Sequence, residues 1–426
     1  MSSVAFTKFI QPDQVPRFTK EMARQDMFNY PPNPVFDRLL GVWGPLSKEP
    51  FKGITTDGTV ESGCFERQPD GAPVEATAQA ATRWLHSLSP EMRHRVQHDL
   101  ESDLWRHWQN TPLILQESQL ELLDQSQEQR ELAQHVVRTS LSETGFWRTQ
   151  RIVANNVFLG QINGLTDLMN EFCFTLNIFG TPSTSSPWGW QLFGHHLCLN
   201  CMFVDGQMVL SPVFMGIEPD LEVGPEKRQL FKPHEDAALA TFHALSNDQQ
   251  QQAILYDSML TADQPEGRFH PDDGRQVGGA FQDNRVVPLE GVCGADLDRK
   301  QRQALLALSE QFICNMPSGP AEARMNEIER YLDRTHFAWI GKANDVDPFY
   351  CRIHSPVALI EFDHHSGIFL ANEEPERFHV HTIVRTPNGN DYGKDLLRQH
   401  YAQGGHDHGA SGTHSHDGGK TFHSHD

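Results

Sequence analysis

Phe172-Cys173-Phe174-Thr175-Leu176-Asn177-Ile178-Phe179-Gly180 is the stretch on which the reading of the fold turns. Its large apolar side chains recur every second residue, the period of a β-strand. Upstream, from Ala76 to about Asn163, the period is helical, with Ala78, Ala81, Leu85 and Leu88 at helix spacing. Downstream the two-residue period runs on to Met215, interrupted by turn formers at Thr181-Pro182-Ser183 and Ser185-Ser186-Pro187. Trp188 to Phe203 reads as a second strand. Val204-Asp205-Gly206-Gln207 reads as a hairpin turn leading into Met208 to Phe214.

Working outward, helical patterning returns over residues 230–332, around a polar stretch at 262–290 that reads as surface loop. Ser89, Ser246 and Asp298 stand as N-caps ahead of helix starts, and Leu123-Asp124 with Glu128-Gln129-Arg130 marks a fourth start. Strands are expected at Thr335 to Ile340, Tyr350 to Asp363 and Arg377 to Thr386, followed by a last helix from Asp391 through Tyr401. Helices grouped around separate strand groups define an α+β class: a helical N-terminal part packed on antiparallel or mixed strand groups. Three regions result. Residues 1–75 read as an extended arm, in which Pro32, Pro34, Pro45, Pro50, Pro69 and Pro73 break any helix. Residues 76–402 read as one domain, helical at 76–165 and 230–332 and with strands at 170–215 and 335–402. Residues 403–426 form a disordered Gly- and His-rich tail, too poor in apolar side chains to order itself.

The 426 residues are 38% hydrophobic and 21% charged, an ordinary balance for a soluble globular chain. The net charge of -21 argues against nucleic acid or an anionic membrane as partner, since both need a basic footprint. No run approaches the roughly eighteen apolar residues of a membrane span, and the first residues lack the pattern of a secretory signal. Seven scattered cysteines fit reduced thiols and a cytoplasmic setting. Cys198 and Cys201 have redox or zinc spacing, but they lie inside a strand without a second cysteine pair. Dinucleotide, P-loop, nucleophile-elbow and His-Glu-x-x-His motifs do not occur, so nucleotide-driven chemistry and serine hydrolysis lose ground.

The chemistry concentrates in histidine. On a strand through Phe378-His379-Val380-His381-Thr382-Ile383-Val384-Arg385, one face carries His379, His381, Ile383 and Arg385. Two imidazoles beside a guanidinium are costly in a core without partners, and metal ligation supplies them. The same parity applied to Trp190 to Phe203 puts His195 and His196 on opposite faces, so one of them is a ligand; the more polar face favours His196 over His195. Glu361 and Asp363 share a face, with Glu361 the preferred proton acceptor and His354 a further ligand or acid/base. Arg385 is placed to hold an anionic substrate group. Trp188, Trp190 and Arg398 are expected to line the substrate cleft. In the tail, His406, His408, His414, His416, His423 and His425 form His-x-His pairs suited to reversible binding of metal ions.

These motifs carry a resemblance. Phe179-Gly180-Thr181-Pro182-Ser183 followed by Trp188-Gly189-Trp190-Gln191-Leu192-Phe193-Gly194-His195-His196-Leu197 resembles the domain of unknown function 3500 family. So do Arg352-Ile353-His354-Ser355-Pro356, Ile360-Glu361-Phe362-Asp363-His364, and His379-Val380-His381 leading to Asn390-Asp391-Tyr392-Gly393-Lys394. The similarity spans about residues 75–402, and the C-terminal motifs look like those of the fungal branch. It implies that the three histidine-bearing motifs belong to one fold, and brings no mechanism. The expectation from the residues is a metal-dependent enzyme acting on a small organic molecule, hydrolase-type, with Zn²⁺ or a similar divalent ion on His196, His379 and His381. Iron or copper on the same ligands would make it an oxidoreductase. A non-catalytic metal-storage protein is the third expectation.

Overall fold

The computed structural model describes residues 6–13, 15, 34–112, 120–221, 228–270, 273–403, 414–415 and 422–423. Eleven strands build one mixed sheet: β1 (Gln97–His98), β2 (Phe174–Phe179), β3 (Trp188–Gly194), β4 (Leu197–Val204), β5 (Gln207–Ile217), β6 (Ile254–Tyr256), β7 (Val292–Cys293), β8 (His336–Gly341), β9 (Phe349–His354), β10 (Leu359–His364) and β11 (Val380–Arg385). Their order is β1-β2-β3-β4-β5-β11-β10-β9-β8-β6, with β7 also on β8. Only β1–β2 and β6–β8 are parallel. With ten α-helices among the described residues, the chain is α+β. The two strand groups of the sequence are therefore one sheet. They join where β5 pairs with β11, Gly216 opposite His381.

Alternation gives this sheet two unlike faces. The apolar face carries Leu176, Ile178, Trp190, Leu192, Leu199, Val213, Met215, Val380, Val384, Ile360, Phe362 and Ile353. Helices cover it: Val74–Ser87, Gln127–Ser140, Lys232–Ala244 and Arg299–Ile313 press Ala81, Trp84, Val136, Leu239 and Leu308 into the same cluster. Each buried Val or Leu among them contributes about 1.5–3 kcal/mol. The other face carries Thr175, Asn177, Gln191, Asn200, His381, Arg385, Glu361, Asp363, Tyr350, Arg352 and His354, all buried. Buried polar groups need partners, and this face supplies many of them to one another. Gln191 Nε2 donates to Asn200 Oδ1 at 2.7 Å, and Asn200 Nδ2 to Pro212 O at 2.9 Å.

Several sequence expectations need correction. The N-terminal arm includes a helix, Pro34–Ser47. Pro34 occupies its first position, where no N–H is needed, and Pro45 falls in its last turn, so prolines do not prevent it. The 262–290 segment is not merely surface. Asp273, Arg275, Gln276, Ala280, Phe281 and Asp283 are buried because the segment lies over the polar sheet face. Trp188 to Phe203 and Tyr350 to Asp363 are each two strands. The second pair turns at Ser355, whose hydroxyl accepts from Val357 N and Ala358 N. Ser89, Ser246 and Asp298 do cap helices, and Ser126 caps the fourth start. Asp205 and Gly206 form the β4–β5 hairpin at φ 53° and 77°. In the tail, His414–Ser415 pairs with Phe422–His423; the metal-binding expectation at His406, His408, His416 and His425 lies outside the described residues. No described helix is long and apolar enough to cross a membrane.

Candidate metal centre

His195 and His196 are not strand residues. They are the two-residue turn between β3 and β4, closed by the Gly194–Leu197 pair. Strand parity therefore does not govern them. His196 has φ 61°, a left-handed conformation that costs a non-glycine residue about 1–2 kcal/mol. Two backbone bonds hold it there: His196 N donates to Asn110 O at 3.2 Å, and Gly216 N donates to His196 O at 2.7 Å. Gly216 leaves the space in which two rings meet. A Cβ at that position would lie 2.9 Å from His381 Cδ2 and 3.1 Å from His196 Cδ2. His381 sits opposite Gly216 on β11, and His379 precedes the strand by one residue.

His196, His379 and His381 converge, each offering one ring nitrogen within 4.8 Å of the other two. The Nε2 atoms of His379 and His381 are 3.0 Å apart, and those of His379 and His196 3.3 Å. A tetrahedral ion with bonds of about 2.0–2.1 Å sets neighbouring ligand nitrogens about 3.3 Å apart. Hydrogen bonding alone is a poor explanation. One ring nitrogen carries a single proton or a single in-plane lone pair, so His379 Nε2 can satisfy only one of its two contacts. The rings are 4%, 3% and 3% exposed. Burial, and then the neighbouring imidazoles, hold all three well below the usual histidine range. They are neutral, the form that ligates metal.

The surroundings orient the rings. His195 stacks on His196 at 3.9 Å between centroids, and its Nδ1 pairs with Asn156 Oδ1 at 3.0 Å. Burial pushes its pKa down to about 3. His195 therefore supports the centre rather than joining it. Glu218 Oε1 lies 3.6 Å from His379 Nδ1 and accepts from Leu370 N at 3.1 Å. When ionised, the carboxyl on that side favours the tautomer with Nε2 free for an ion. Burial raises Glu218 to about 8. Asp363 is directly across from His381 in the β10–β11 ladder. Its Oδ2 accepts from Arg275 N at 3.0 Å, its Oδ1 has no hydrogen-bond partner among the described residues, and burial raises it to about 7. His365 brings a fourth imidazole, with its centroid 4.2 Å from that of His381. The sequence pointed to the three converging histidines. It did not reveal Glu218, Asn156, Gly216 or the leading position of Asp363, because these depend on cross-strand and cross-loop neighbours.

The remaining candidate residues are elsewhere. Glu361 is on the face of His381 but two residues along, opposite Ile383. Its carboxylate is already occupied by Val277 N, Gly278 N at 2.7 Å and the Tyr350 hydroxyl. Arg385 is not free for an anion either. It is fully buried, with Nε on Asp391 at 2.9 Å and Nη2 on Asp283, and those carboxylates more than offset the cost of its burial. His354 pairs with Leu359, which pairs with Arg385. That places it two strands across and four residues along from His381, about 10 Å by 13 Å. Burial, then the nearby Arg352 charge, hold it at about 3. Trp188 and Trp190 point into the apolar core on the opposite face; Trp190 Nε1 donates to Ser140 Oγ at 2.9 Å and Trp188 packs on Phe203. They do not wall the histidine site. Arg398 is exposed and pairs with Asp395 on its own helix. His364 faces away from Asp363 and bonds Glu235 Oε1 at 2.9 Å. Cys64, Cys198, Cys201, Cys293, Cys314 and Cys351 are not in disulfides, and burial raises the Cys198 and Cys201 thiols.

The chain belongs to the family described as Protein of unknown function (DUF3500), whose model matches residues 70–394. The matched span contains every residue of the centre. No curated protein and no solved structure matches the chain.

Proposed function

We propose that the protein is a metal-dependent enzyme for a small organic substrate, built on a divalent ion held by His196, His379 and His381. The supporting observation is the convergence of three buried, neutral imidazoles, with Nε2 separations of 3.0 and 3.3 Å that hydrogen bonding cannot satisfy. Zinc is the preferred ion. Three protein ligands and one open position are the pattern of catalytic rather than structural zinc. A bound ion of this kind lowers the pKa of coordinated water to about 7, which supports hydrolysis. Asp363, across from His381 and with one oxygen lacking a hydrogen-bond partner among the described residues, replaces Glu361 as the residue to take a proton. Six cysteines outside any disulfide, Cys64, Cys198, Cys201, Cys293, Cys314 and Cys351, support a reducing, cytoplasmic setting.

The test is metal analysis of full-length protein whose tail histidines, His406, His408, His414, His416, His423 and His425, are replaced by serine. The expected result is about one equivalent of zinc, lost when His379→Ala and His381→Ala are added while the unfolding transition remains. Absence of tightly held metal in the tail variant overturns the proposal and leaves the tail as the metal binder. Retained iron or copper moves the chemistry to oxidation.

A further inference from the structure

Among the described residues, ten buried polar atoms have no hydrogen-bond partner in the seam between residues 268–270 and 273–285 and strands β9 and β10. The donors are Arg268 Nη2, Arg275 Nε and Nη1, Gln276 Nε2, and Arg352 Nε and Nη1. The acceptors are Gln276 Oε1, Asp363 Oδ1 and both oxygens of Asp273. The residues are tied to one place. Arg268 lies over the Tyr350 ring at 5.0 Å, and its Nη1 donates to Arg275 O. Arg275 N donates to Asp363, and Val277 N to Glu361 at 2.8 Å. Tyr350 is the cross-strand partner of Asp363, and Arg352 that of Glu361.

The guanidiniums do not turn to the open carboxylate oxygens beside them. Arg275 spends Nη2 on Met259 O, and Arg352 spends Nη2 on Glu290. Arg275, Gln276 and Arg352 are all at least nine-tenths buried. Unmet donors of this number in a native interior call for an occupant that accepts hydrogen bonds. The row His381–Asp363–Tyr350 runs straight across three strands, so the arginines begin one to two strand spacings, about 5–10 Å, from the histidine centre.

We infer that this seam is an anion subsite, in which Arg268, Arg275 and Arg352 with Gln276 hold the carboxylate of a small organic substrate whose other end reaches the histidine centre. The inference deepens the metal-enzyme reading and rests on it for the second half. A carboxylate fits better than a phosphate. Arginine forks match a planar, singly charged group, and Asp273 and Asp363 nearby oppose a second negative charge.

Acetate is the probe, with acetamide as its neutral twin and inorganic phosphate as the rival anion. Binding to the full-length protein is followed by thermal shift and calorimetry, before and after chelation. Acetate is expected to stabilise and acetamide not, with phosphate weaker. Arg275→Met should weaken acetate about 10- to 100-fold, the size of a lost charge-assisted contact. Arg268→Met reads the same quantity from a less buried side chain, should the first variant not fold. Acetate binding no better than acetamide, or unchanged in a folded variant, overturns the subsite. Tighter phosphate overturns the carboxylate assignment. Metal content of the same samples reports on the centre separately: acetate binding that survives in protein without any metal keeps the subsite and removes the ion.

Discussion

His196 is held in a left-handed conformation at φ 61° in a two-residue turn, where glycine or asparagine would be at ease. Strain of this kind persists when the surroundings over-determine it, and it concentrates at functional sites. Here the turn carries the ring over Gly216 to meet His379 and His381. The residue serves ligation at the expense of its own backbone. With both proteins stripped of metal, His196→Gly is therefore expected to leave the unfolding free energy equal or up to about 1 kcal/mol higher through relieved strain, while bound metal falls in untreated samples. A large drop in stability with metal content unchanged would contradict this. The sequence placed an imidazole here through its motif. It gave the wrong reason, because parity along Trp190 to Phe203 assumed a continuous strand through the turn.

At the scale of elements, the two faces of the sheet explain which candidates failed. Neighbours along a strand cannot share a face, and residues paired across strands must. Once Gly216, His381, Asp363 and Tyr350 form one row, Trp188 and Trp190 are excluded from it. Trp190 occupies the apolar cluster and donates to Ser140 Oγ at 2.9 Å. Trp190→Phe is expected to cost about 1–3 kcal/mol in chemical denaturation, from lost contacts and the lost hydrogen bond to Ser140 Oγ, with metal content unchanged. Loss of metal in that variant would place the tryptophan at the site after all. The same row logic was partly available from the sequence, since Glu361 and Asp363 share a face there too. Register decides between them: one residue pairs with Ile383, the other with His381.

For the molecule as a whole, the polar sheet face depends on its cover. Arg385 and Arg106 both bond Asp283 of the covering segment, with Arg106 Nε at 2.8 Å from Oδ2. Burial alone would raise Asp283, but Arg385 and Arg106 prevail and hold it below the ordinary carboxylate value. The linkage has a definite sign. A depressed folded pKa gives stability that is present above the unfolded value near 4 and is lost as pH falls through the lower folded value. Unfolding free energy is expected to decline as pH drops below about 4, with a shallower decline in Asp283→Asn. Asp283→Ala should cost about 3–5 kcal/mol at neutral pH, because buried Arg106 loses its counter-ion and buried Arg385 keeps only Asp391. An acid limb equally steep in Asp283→Asn would show that other groups govern it.

Local signals determined the α+β class, the helix starts at Ser89, Ser246 and Asp298, the Asp205-Gly206 hairpin and the histidine motifs, because each depends on residues within a few positions. The family motifs are likewise runs of adjacent residues, legible without a fold. Tertiary structure alone decided that two strand groups are one sheet, that Asp363 rather than Glu361 neighbours the histidines, and that Arg385 is neutralised by Asp391 and Asp283. Pairing register and loop coverage are long-range properties: a partner more than a hundred residues away, such as Asp283 for Arg385, leaves no mark on the spacing around either residue.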